Sequence, residues 1–153
     1  MAKQKKTSVK TIRNKRANFD YELGDSIVAG IVLSGAETKA LRLGHGHLRG
    51  AYVTVTDGEL WLFNATITGF NGVKLNESEQ TRSRKLLLKK REIDALLEAK
   101  KQGKSIVPLE LLTQGRYIKV RISVGTGKKR YDKRQVIKQR DQERANQIEL
   151  KNR

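Results

Sequence analysis

The chain has 153 residues, the size of one ordinary domain, and its 33 Lys and Arg against 16 Asp and Glu give a formal net charge of +17. So large a surplus on one small domain requires a polyanionic partner. The absence of cysteine excludes disulfides, thiolate nucleophiles and cysteinyl zinc; no apolar run approaches a membrane span and the N-terminus is not a secretory signal, so a cytoplasmic protein with no membrane partner is expected.

In chain order, residues 1–16 form a basic arm with Lys3, Lys5, Lys6, Lys10, Arg13, Lys15 and Arg16 and no acid. Residues 17–81 reverse the balance, eight acids facing Lys39, Arg42, Arg49 and Lys74, which is ordinary domain composition. Ser26–Leu33 is a β-branched run that reads as a buried strand with a bulge or a close backbone approach at Gly30. Gly35–Leu43 reads as a short helix with Ala36, Ala40 and Leu43 on one face and Gly44 just past its end. Ala51–Thr56 and Glu59–Ile67 alternate around Asp57-Gly58, a two-residue type I′ turn. This predicts a hairpin with Leu60 and Leu62 on one face and Trp61, Phe63 and Ala65 on the other.

Residues 68–83 read as a polar loop. Residues 82–104 carry nine basic groups and three acids, with Arg84–Leu88 a strand or helix entry and Arg91–Gln102 a helix burying Ile93, Leu96 and Leu97. Ser105–Leu112 and Arg116–Val124 form a second hairpin, in which Pro108 requires an edge or a bulge. In it Ile118, Val120, Ile122 and Val124 face inward, Lys119 and Arg121 outward. From Gly125 the pattern changes. Residues 125–153 carry ten basic groups and four acids, with helix-forming composition but only Val136, Ile137, Ala145, Ile148 and Leu150 as aliphatic material, so the tail is expected to be disordered until it meets a partner. The predicted organisation is a basic arm (1–16), a domain (17–124) and a basic tail (125–153). The expected fold class is mainly β with flanking helices, an OB-like small antiparallel β-barrel.

No active site is evident. Gly125-Thr-Gly-Lys-Lys129 lacks the first glycine and the final Ser or Thr of a phosphate loop. His45 and His47 stand two apart in a glycine-rich segment; a metal pair there lacks a third ligand, and a turn with exposed imidazoles is the simpler reading. The basic clusters do carry a mechanism, because each phosphate they neutralise releases counterions. Tyr21 and Tyr131 are aromatics set among cations, Tyr131 with no core to join and Tyr21 equally able to be a core residue.

Asn14-Lys-Arg-Ala17 with Tyr21, Gly35-Ala-Glu-Thr-Lys-Ala-Leu-Arg42, Arg82-Ser-Arg-Lys-Leu-Leu-Leu88 and Gly127-Lys-Lys-Arg-Tyr-Asp-Lys-Arg134 resemble, in order and spacing, the small protein B family. These are the tmRNA-binding (SsrA-binding) proteins of bacterial trans-translation, and the resemblance runs from about residue 12 to 153. It implies an OB-like barrel, no enzymatic activity, no cofactor and no metal. The partners it implies are the tRNA-like domain of tmRNA, and the decoding centre and empty mRNA channel of a stalled ribosome, the protein acting as a monomer bound to RNA. Carried over by motif, Asn14, Lys15, Arg16, Tyr21, Arg84, Lys85 and Leu87 belong to the tmRNA face. Gly127, Lys128, Lys129, Tyr131, Asp132, Lys133, Arg134 and Ile148 belong to a tail that becomes helical on the ribosome, with Tyr131 stacking on an rRNA base. Val28 stands where the family often has a glutamate. The alternative from composition alone is a structural ribosomal protein holding rRNA through basic extensions.

Overall fold

A computed structural model describes residues 11–69, 75–128 and 130–151. Nine strands and five helices follow in the order β1 Thr11–Arg13, α1 Ala17–Asp20, β2 Tyr21–Ile31, α2 Gly35–Arg42, β3 Gly46–His47, β4 Tyr52–Thr56, β5 Glu59–Phe63, β6 Thr66–Ile67, α3 Glu77–Gln80, β7 Arg84–Leu87, α4 Lys90–Lys101, β8 Ser105–Leu112, β9 Lys119–Gly127 and α5 Arg130–Lys151. The main sheet is wholly antiparallel in the order β1-β8-β4-β5-β7-β2-β9, and β9 also pairs with β8. Six strands therefore close into a ring, the OB-like barrel expected from the sequence. One edge of β8 is shared: Ile106 pairs with Val53 of β4, while Glu110–Leu112 pair with β1. The last part of the basic arm is thus a strand of the fold, and Ile12 is buried in its core.

The barrel interior is filled by the inward rows of these strands, among them Ala29, Leu60, Leu62, Leu86, Val120 and Ile122, all almost fully buried. Removing such side chains from water is the main term holding a small barrel closed. The first hairpin pairs Tyr52 with Phe63 through Thr56 with Glu59, and Asp57 and Gly58 have φ of 52° and 75°, as the expected I′ turn demands. The alternation predicted to run to Ile67 stops at Asn64, whose φ of 61° reverses the chain direction. Ala65 is consequently buried, not on the outer face with Trp61 and Phe63, and Thr66–Ile67 pair instead with β3.

Gly30 is the close approach, not the bulge: a Cβ there would lie 3.2 Å from Leu87 Cβ, and the register shift in β2 falls between Leu23 and Ser26. Pro108 sits beside an irregularity between Pro108 and Glu110, where a missing N–H costs no ladder bond. In α2 the inward row is Glu37, Ala40 and Leu41, whereas Leu43 is exposed. A glutamate inside the stripe misdirects a reading of hydrophobic period alone. β9 continues past Val124 to Gly127, with Ser123 buried and donating to the carbonyl oxygens of Gly24 and Asp25 at 3.0 and 3.1 Å.

Candidate RNA-binding interface

Asn14, Lys15 and Arg16 connect β1 to α1. The Asn14 N–H donates to the Leu109 carbonyl at 2.8 Å and its side-chain amide to the Pro108 carbonyl at 2.9 Å. The β8 irregularity leaves these two carbonyls free for the loop, so Asn14 fixes how Lys15 and Arg16, both exposed, leave the barrel. Tyr21 opens β2 opposite Gly127, and a Cβ on Gly125 would lie 3.1 Å from Tyr21 Cβ. Beside these residues lies a cleft of about 590 Å³ whose lining includes Asn14, Arg16, Tyr21, Arg49, Tyr52 and Lys100. Three cations and two aromatic rings around one cleft form a site able to hold a base and its phosphates. Tyr52 is half exposed and stacks on Phe63, with ring centroids 5.3 Å apart. Arg49, Tyr52 and Lys100 are absent from the sequence-derived site; their sequence signals were the place of Lys100 in the basic segment 82–104 and the outward position of Tyr52 on an alternating strand.

Arg84, which the resemblance places on the tmRNA face, lies inside the barrel instead. Its side chain is fully buried, because β7 alternates and Arg84 shares the inward row with Leu86, while Lys85 and Leu87 point outward. Its Nε donates to Glu37 Oε2 at 2.5 Å and its terminal nitrogens to the carbonyls of Ala65, Arg82, Glu79 and Gln80. Glu37 in turn caps α2 through Ser34 and also takes the guanidinium of Arg82. Burial opposes charge on Glu37, yet donation from Arg82, the Ser34 N–H and Arg84, with the Arg84 field, holds its carboxyl below the ordinary value. Burial also lowers Arg84, only partly offset by Glu37. All buried side-chain polar atoms among the described residues are satisfied. Arg84 is thus a strut tying α2, the turn at Ala65, α3 and β7 together, without a free donor for RNA.

The remaining residues fall into two groups. Leu87 is 53% exposed over Gly30, and Lys85 reaches Glu59 at 3.0 Å. Val28 on the neighbouring β2 and Val32 just past its end are exposed. Since Gly30 pairs with Leu87 and Tyr21 with Gly127, nine residues of β2 separate these groups, up to about 30 Å of strand. The first group, by contrast, adjoins the root of the tail. Lys128 donates from its backbone N–H to Asp20 O at 2.9 Å and from its Nζ to Asn18 O at 2.7 Å; Lys133 Nζ lies 3.2 Å from Asp20 Oδ1.

Lys129 lies outside the described residues. Arg130–Lys151, including Tyr131 and Asp132, is helical in this structure, where composition predicts disorder in the free chain; root contacts to α1 supply the first turn with a support the sequence does not reveal. Arg134 and Ile137–Lys151, Ile148 among them, are exposed. His45 and His47 flank the start of β3, and the described residues contain no group of three or more His, Cys, Asp or Glu able to hold a metal. No helix among them is long and apolar enough to cross a membrane.

The chain as a whole is similar to known proteins. The model of the family described as SmpB protein matches residues 11–152. An SsrA-binding protein of Oenococcus oeni is 45% identical over 153 residues, covering 99% of each chain; one from Acidiphilium cryptum is 43% identical over 143 residues, covering 92% of this chain and 90% of the relative. A solved chain described as "tmRNA-SmpB: a journey to the center of the bacterial ribosome" superposes with a TM-score of 0.67 at 34% identity, covering 84% of this chain and 95% of that one. The family match and the curated relatives extend over nearly the whole length, and the chain belongs to the SmpB family of SsrA-binding proteins.

Proposed function

We propose that this protein is a non-enzymatic cytoplasmic adaptor: it binds the tRNA-like domain of tmRNA through the barrel and delivers it to ribosomes stalled on messages without a stop codon. The observation that carries this reading is the separation of its cations. One set, Arg16 with Arg49 and Lys100, lines a cleft on the barrel beside the exposed Lys15, and a second lies on an exposed helix. Asn14, Lys15, Arg16, Tyr21, Lys85 and Leu87 contact tmRNA, with Arg84 acting from inside as the support of Lys85 and Leu87. Gly127, Lys128, Lys129, Tyr131, Asp132, Lys133, Arg134 and Ile148 serve the ribosome. A helix of 22 residues is about 33 Å long and about 10 Å wide, able to enter an mRNA channel closed to the barrel. A message still in the channel would exclude it.

The test compares the full chain with one ending at Lys128, which keeps β9 whole. The truncated chain retains most affinity for the tRNA-like domain and loses tagging of stalled nascent chains. Loss of both activities together would make the tail only another RNA clamp and overturn the division of labour. Retention of the chain on every ribosomal subunit in stoichiometric amount, with no discrete RNA of a few hundred nucleotides, would overturn the adaptor itself.

A further inference from the structure

A second pocket, of about 330 Å³, opens beside the cleft and shares Asn14, Arg16 and Arg49 with it; Arg13, Lys15 and His47 complete its polar lining. Two short extended segments build it. Ile12 and Leu48 turn into the core, so their neighbours Arg13, His47 and Arg49 are left outside. Asn14, bonded to the carbonyls of Pro108 and Leu109, fixes where Lys15 and Arg16 stand. Four permanent cations and one imidazole thus line a single pocket. No carboxylate lines it: Glu110 and Asp20 approach Arg13 and Arg16 from outside, at 3.8 and 3.5 Å, and β6 sets only the uncharged Thr66 opposite His47. Among the described residues, the side chains of Lys15, His47 and Arg49 have no hydrogen-bond or ion-pair partner.

We propose that this pocket takes one phosphodiester of a bound RNA and that His47 makes the grip proton-linked: the imidazole is protonated as the phosphate enters, so binding takes up a proton. Each part follows from the lining. An anion is the ligand that offsets four cations with no acid among them. Imidazole is the one side chain whose ordinary titration lies between pH 5 and 8, and a phosphate oxygen beside it favours the charged form, in which both ring nitrogens donate. Proton and phosphate therefore favour each other's binding, and the coupling is reciprocal. Affinity is accordingly highest on the acid side of the imidazole's titration and falls as pH rises through its RNA-bound value. Because the lining is shared, the phosphate is one adjoining a base in the cleft; that assignment rests on the function proposed above, whereas the proton linkage rests on the pocket alone.

The experiment uses the full chain and a short oligouridylate without a terminal phosphate, whose diesters keep their charge from pH 6 to 8. At one fixed ionic strength its affinity should be about fivefold higher at pH 6 than at pH 8, and the His47 ring protons should titrate at higher pH with the RNA bound, His45 serving as the reference. His47→Asn should remove most of this pH dependence. His47→Arg, a permanent cation, should hold the higher affinity at both pH values. The His47 side chain lies outside the core and the β3–β6 ladder is made by backbone, so both variants keep the fold, which Trp61 fluorescence reports. Native affinity that does not change with pH, or a pH dependence that survives His47→Asn, overturns the linkage. Proton-linked binding of oligouridylate by a chain that does not bind the tRNA-like domain overturns the adaptor reading and leaves the pocket standing.

Discussion

Glu37 and Arg84 show how much of this interface is held from inside. Each is almost wholly buried, and each satisfies the other's charge while the backbone supplies the remaining partners. Removing one member leaves an uncompensated charge in the interior, which costs about 3–5 kcal/mol, whereas a lone exposed pair such as Lys85 with Glu59 is worth about 0–1 kcal/mol. Arg84→Leu should therefore lower the urea midpoint sharply, and Lys85→Ala should leave it nearly unchanged while weakening RNA binding. An Arg84→Leu chain of native stability would show that the strut has no such role. The acid limb of stability follows from the same carboxylate. The folded pKa of Glu37 lies below its ordinary 4.5, so its contribution is complete above about 4.5 and is lost as pH falls through the folded value. Denaturant titrations between pH 6 and 3 should show a shallower decline in Glu37→Gln than in the native chain, from a lower starting stability; parallel declines would place the acid sensitivity elsewhere.

Elements differ in how openly the sequence announces them. The β4–β5 hairpin was legible because its turn chemistry and its alternation agree on one register, and the inward row of β9 was legible for the second reason. The two-stranded β3–β6 ladder was not, since Gly46 and Thr66–Ile67 are too short to show a period and depend on close packing. A Cβ on Gly46 would stand 2.7 Å from Leu41 Cδ2 and 2.9 Å from the Thr66 carbonyl oxygen, one a side chain able to shift and the other backbone that cannot readily do so. Gly46→Ala should cost about 1–3 kcal/mol by overpacking, measured as a fall in unfolding free energy, and a neutral substitution would mean the ladder is loose. The candidate site was half legible for a related reason. The basic arm, the segment 82–104 and the tail stand out as charge runs, but that Lys100 meets Arg49 and Tyr52 is decided only by the barrel. If that cleft takes an unstacked base, Tyr52→Ala should weaken binding of the tRNA-like domain about 5- to 150-fold, since one base–aromatic stack is worth about 1–3 kcal/mol, while Tyr52→Phe stays near native. Equal affinity in all three would remove Tyr52 from the interface.

At the scale of the whole molecule, the charge of +17 is a sum over parts for which separate tasks are proposed, and salt dependence can measure the parts independently. Each phosphate contact adds about 0.7–0.9 to the slope of log affinity against log salt. If the barrel alone holds the tRNA-like domain, ending the chain at Lys128 removes nine basic residues and changes that slope by less than about one contact. If the tail reads the ribosome, the same truncation removes most of the salt-dependent affinity for empty ribosomes, because the exposed cations of α5 no longer contribute. The two titrations must diverge. Slopes that fall by the same amount with both RNAs would mean that the basic arm, barrel and tail act as one diffuse polycation, and that the acidic balance of residues 17–81 does not separate two functions.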